Sequence, residues 1–60
     1  MTEYHCYYLG TGDRLRKMAV IEAVDDAHAV IEAERIRVAT NQDAMEIWRS
    51  IHLIGRTSLS

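Results

Sequence analysis

The sequence predicts an α+β fold of ββαββ order, a small antiparallel sheet of two hairpins with one helix packed on one face. Three observations predict it. Two alternating stretches precede Asp25, a run of helix formers opens at Asp25-Asp26, and two more alternating stretches follow Asp43. The chain has 60 residues, and a domain of about that size buries only roughly 60% of the surface its unfolded chain exposes. Residues 1–60 therefore read as a single domain with little stability to spare.

The first strand is expected over about 3–9. Tyr4-His5-Cys6-Tyr7-Tyr8-Leu9 is rich in residues that suit a pleated surface, and Gly10-Thr11-Gly12-Asp13 is a composition for a turn with positive φ. The second strand runs over about 14–24 through Leu15, Met18, Val20, Ile21 and Val24. Arg16, Lys17 and Glu22 interrupt the apolar pattern, so a bulge is expected in a long strand.

A helix over about 26–39 follows. An aspartate at position 25 or 26 accepts hydrogen bonds from the free amides of a first turn, and both charges favour the positive end of the helix dipole. Ala27, Ala29, Glu32, Ala33, Glu34 and Arg35 are good helix formers, and Asn41 is the expected C-terminal cap. On a helical wheel Ala29, Ala33 and Ile36 make one apolar side and Ile31 and Val38 another. Small residues let a helix approach a sheet closely, so the alanine side is expected inward and Ile31 and Val38 outward, free for another chain.

Two last strands, about 43–49 and 51–57, make a tight hairpin whose Arg49-Ser50 turn lacks the favoured glycine. Alternation places Met45 and Ile47 on one side and Glu46 and Trp48 on the other. Trp48 is expected to join a second apolar face with some of Tyr4, Cys6 and Tyr8. Such a face is poorly solvated, and a symmetry mate covers it most simply. A homodimer or higher oligomer also answers the size problem, since Cys6 is the only cysteine and no internal disulfide can form.

Composition narrows the function classes. Hydrophobic residues make up 48% of the chain and proline is absent, so an ordered domain is expected. Seven basic against nine acidic residues give a formal charge of -2, which argues against a general polyanion binder. No basic stretch followed by a long apolar run opens the sequence, and the longest apolar run, Met18 to Ile21, is too short for a membrane span. A cytoplasmic protein without a membrane partner is expected, and an unpaired cysteine fits a reducing compartment.

Tyr-x-Cys-Tyr-x-Leu at Tyr4 to Leu9, the glycine turn leading to Asp13-Arg14-Leu15-Arg16, Val20-Ile21-Glu22 before Asp25-Asp26-Ala27, and Met45-Glu46-Ile47-Trp48 cover nearly the whole chain. In these motifs it resembles a group of short uncharacterised bacterial ββαββ proteins, a domain-of-unknown-function family. The resemblance implies the fold and no activity. Similar sequences follow the tryptophan with a polar residue and glycine, where Arg49-Ser50 stands here.

Chemistry finds little purchase. Gly10-Thr11-Gly12 lacks both the third glycine of a dinucleotide loop and the Gly-Lys-Ser/Thr of a phosphate loop, and it leads into a strand rather than a helix. His5 and Cys6 are adjacent, so on a strand they point to opposite faces and cannot pair as nucleophile and base. With His28 and His52 they have none of the usual zinc spacings, and no metal or cofactor is expected. Arg14, Arg16 and Lys17 with Tyr4, Tyr7 and Tyr8 could form a surface that stacks bases and neutralises phosphate, but such charges also keep exposed strands soluble. Trp48 is the expected anchor for a partner. The sequence thus predicts a non-enzymatic, self-associating interaction or structural module with interface residues Tyr4, Cys6, Tyr8, Ile31, Val38 and Trp48. A small nucleic-acid-binding or regulatory protein using Arg14, Arg16 and Lys17 is the alternative.

Overall fold

The computed structural model describes residues 1–58 and has the expected α+β architecture. Strand β1 spans Thr2–Gly10, β2 Arg14–Ala23, helix α1 Asp26–Ala39, β3 Ala44–Arg49 and β4 His52–Ser58. The sheet is antiparallel throughout in the order β2-β1-β3-β4, so the first strand lies inside and β2 and β4 are the edges. Helix α1 covers one face.

The first hairpin closes through Thr11–Asp13, a tight turn in which Gly12 and Asp13 take positive φ, 73° and 59°. The pairing register shifts between Tyr8 and Leu9, opposite Lys17 and Leu15, which leaves Arg16 as the extra residue of the expected bulge. The Arg16 side chain lies across Gly10, where even a Cβ would collide with its Cδ.

Helix α1 begins where the aspartates predict. Asp25 is the N-cap, and its Oδ1 accepts from the His28 amide at 2.9 Å. At the far end Thr40 closes the helix and Asn41 takes φ 59°. The Asn41 amide donates to the Val38 carbonyl and the Gln42 amide to the Arg37 carbonyl, a paired C-terminal closure that needs a left-handed residue. Asparagine tolerates that conformation better than other non-glycine residues.

Ala29 and Ala33 face the sheet with no exposed surface, and Ile31 and Val38 point away at 67% and 64% exposure. Beneath the alanines lie Tyr4, Cys6 and Tyr8 from β1, Ala23 from β2, and Met45 and Ile47 from β3. Gly55 admits Val30 of the helix against the sheet, because an added Cβ would stand 3.1 Å from the Val30 Cγ2 and 3.3 Å from the Ile47 Cγ2. The second hairpin pairs Arg49 with His52 across Ser50-Ile51. Ser50 takes φ 57°, the sign that glycine usually supplies at the first loop position of a type II′ turn.

Candidate functional site

Residues directly opposite each other in an antiparallel sheet share a face. His5 faces Val20 on one side and Trp48 on the other, Tyr7 faces Met18 and Glu46, and Trp48 faces Leu53. These side chains occupy the face that α1 leaves uncovered. Met18 and Val20 are more than half exposed, Leu53 nearly so, and Ile51 at the hairpin tip is 81% exposed. A shallow hollow of about 660 Å³ opens among His5, Tyr7, Glu46, Trp48, Ser50 and Ile51. The indole Nε1 of Trp48 donates to Glu46 Oε1 at 3.4 Å, and Arg56 on β4 stands 3.8 Å from Glu46 Oε2. The site is thus a broad apolar surface with one carboxylate and one guanidinium near its centre.

Three residues expected on this surface are elsewhere. Tyr4, Cys6 and Tyr8 lie under the helix with at most 1% of their surface exposed, on the opposite face from Trp48. The small residues that bring the helix close also leave a gap, and the tyrosine rings fill it. Their hydroxyls then reach polar groups of the helix: Tyr4 donates to Asp26 Oδ1 at 2.6 Å, and Tyr8 to the Ala33 carbonyl at 3.0 Å. The aromatic residue beside Trp48 is Tyr7, with His5 directly opposite Trp48.

The same placement separates the basic residues from the aromatic ones. Lys17 pairs with Tyr8 and so belongs to the helix-covered side, while Arg16 lies across Gly10. Tyr4 and Tyr8 are covered, and Tyr7 is on the other face. Tyr8, the tyrosine opposite Lys17, is covered by the helix, so Arg14, Arg16 and Lys17 have no exposed tyrosine on their face to stack a base.

One polar network connects the helix to the sheet and a second closes the helix's C-terminal end, and spacing in the sequence did not reveal the first. Asp26, the first helical residue, accepts from Tyr4 and from Arg49 at the end of β3, whose Nη1 is 2.6 and 2.7 Å from its two oxygens. The Tyr4 hydroxyl, and after it the Arg49 guanidinium, holds the Asp26 carboxyl below the usual range, while the bond to Asp26 raises the Tyr4 phenol. In the second network the buried Arg37 bonds Glu34, its Nε at 2.9 Å from Oε1, and donates from Nη1 to the Gln42 carbonyl at 2.9 Å. The Glu34/Arg37 spacing was a legible signal for this pair.

Burial pushes the Cys6 thiol up, which is the reverse of thiolate activation. His28 is exposed and contacts Asp25 at 2.7 Å, and His5 lies 3.6 Å from Glu3. Among the described residues, no group of three or more His, Cys, Asp or Glu side chains could hold a metal ion, and no helix is long and apolar enough to cross a membrane. No protein-family model, curated protein or solved structure matches this chain. A functional reading therefore has to come from the uncovered face and the strand edges.

Proposed function

We propose that this chain is a non-enzymatic interaction module that associates with itself through the uncovered sheet face around Trp48. The observation that carries the reading is the exposure of Met18, Val20 and Leu53 beside Tyr7 and Trp48, on a face with no covering element. The two longer dimensions of the molecule, 32 and 22 Å, bound the footprint of any one face at about 700 Å², of the order of the roughly 800 Å² per partner of a standard stable interface. A second copy is a suitable occupant because a two-fold axis pairs the same apolar patch with itself and needs no other partner.

Size supports the same conclusion. The largest fully buried side chains are Tyr4, Tyr8, Met45, Ile47 and Cys6, a small core for a chain that lacks a disulfide. Covering Trp48 and its neighbours would enlarge that core at the expense of exposed apolar surface. A reducing cytoplasmic setting in a bacterium agrees with the free thiol and with the family resemblance, and both belong to the proposal.

Light scattering across a dilution series tests the reading, with Trp48 fluorescence as a second readout. The expected result is a mass of at least two chains and a blue-shifted, quencher-protected indole. Leu53→Glu, at a position exposed in the single chain and opposite Trp48, should shift the population to monomer and expose the indole while leaving the fold intact. A wild-type monomer with a water-exposed Trp48 would overturn the proposal.

A further inference from the structure

All four cations outside β2 are paired with carboxylates: Arg35 with Glu32, Arg37 with Glu34, Arg49 with Asp26 and Arg56 with Glu46. The remaining three, Arg14, Arg16 and Lys17, sit together at one end of β2, and none makes an ion pair among the described residues. At the other end of the same strand Glu22 lies directly opposite Glu3 of β1, and like charges in that relation destabilise a sheet. Beyond it stands Asp25, and Asp13 adjoins the basic end in the loop.

This charge gradient lies along an open edge. Strand β2 is ten residues long and has a neighbour on one side only. It carries no proline, and its middle, Met18-Ala19-Val20-Ile21, is apolar. A long edge of that kind presents unpaired backbone groups to another strand. Its own charges decide which strand fits. Parallel alignment with a second β2 would set Arg16 and Lys17 beside their own copies. Antiparallel alignment brings each basic end to the other's acidic end.

We propose that two copies of the chain pair antiparallel along β2, continuing the sheet from four strands to eight. A register centred on Ala19 brings the Arg14–Lys17 end beside the partner's Glu22 end, and the relation holds twice by symmetry. Each Glu22 then gains a cation that offsets its repulsion with Glu3. The two-fold axis stands normal to the sheet, so both helices lie on one side. On that side the hollow of about 520 Å³ between β2 and α1, whose lining includes Ile21, Glu22, Ile31 and Glu32, comes against the basic end of the partner's β2. The edge contact rests on the self-association reading but uses a different surface from the Trp48 face.

Charge reversal and charge exchange test it, with association measured by sedimentation at low salt. Glu22→Lys alone, and Arg16→Glu with Lys17→Glu, should each weaken association about tenfold or more, because each reversal sets like charges together twice across the two-fold axis. The chain carrying all three changes restores opposite signs across the axis and should return to within about threefold of wild type, since the pairwise term is then recovered. Hydrogen exchange on the wild-type protein gives a readout independent of folding in the variants: amides of Arg14–Ala23 should gain protection as concentration rises. An oligomer whose association ignores both reversals, or is not restored by the exchange, overturns the edge pairing and leaves the Trp48 face standing. A wild-type monomer overturns both.

Discussion

Ala33 shows how one small side chain sets the distance between helix and sheet. It is fully buried above Tyr8, whose hydroxyl donates to its carbonyl, and interiors packed to this density do not absorb extra methylenes without strain. Ala33→Leu should lift α1 from the sheet, separate Tyr8 from its acceptor and cost about 1–3 kcal/mol by overpacking. Chemical denaturation at fixed protein concentration measures it, and a neutral substitution would show that the interface is loose. At this scale the sequence was half legible. The inward turn of Ala29 and Ala33 followed from their size, but the parity of β1 did not. With tyrosine or cysteine at positions 4, 6, 7 and 8, either face of the strand looks apolar. The hydroxyl acceptors that decide the matter, Asp26 and the Ala33 carbonyl, come from more than twenty residues away.

Elements end where side-chain chemistry ends them, and three of those endings hold a non-glycine residue at positive φ, Asp13 in the first hairpin among them. Asn41 and Ser50 both hold a left-handed conformation, φ 59° and 57°. Asparagine visits that region through local hydrogen bonding, whereas serine has less compensation. Ser50→Gly should therefore stabilise the second hairpin by about 0.5–1 kcal/mol, after the entropy that glycine adds to the unfolded chain is subtracted. Asn41→Gly should gain less. Thermal melts of the two variants check the order, and a larger gain at Asn41 would contradict this account of the turn. The boundaries themselves were readable to within a residue or two, because Asp25, the Gly12 turn and the polar run after Ala39 are local signals. The sheet order was a different matter: that β1 pairs with β3 and β2 becomes an edge depends on contacts between distant segments. Without it the charge gradient along β2 had no edge to act on.

For the whole molecule, the ionisable groups divide into two sets that act at opposite ends of the pH scale. Asp25 is held below its ordinary range by the His28 amide, Asp26 by Tyr4 and Arg49, Glu32 by Arg35 and Glu34 by Arg37. A carboxylate depressed in the folded state contributes stability that is complete above its unfolded value, about 4, and is lost as pH falls through the folded one. Cys6 and Tyr8 are raised by burial, and Tyr4 by its bond to Asp26. Their neutral forms are favoured by folding, so their contribution is complete below the unfolded values and is lost as pH rises past them. In the unfolded chain a thiol titrates at about 8.5 and a phenol at about 10, so the thiol's contribution is the first to be lost. Melting temperature at constant protein concentration should accordingly be level between about pH 5 and 8.5 and fall on both sides. Asp26→Asn should shallow the acid limb, and Tyr8→Phe the alkaline limb above about pH 10, whatever either does to the height of the plateau. Constant concentration matters because the melting temperature of a self-associating chain rises with the amount of protein. An alkaline limb of unchanged slope in Tyr8→Phe would mean that this phenol is not held neutral beneath the helix, and the placement of β1's aromatic face would have to be revised.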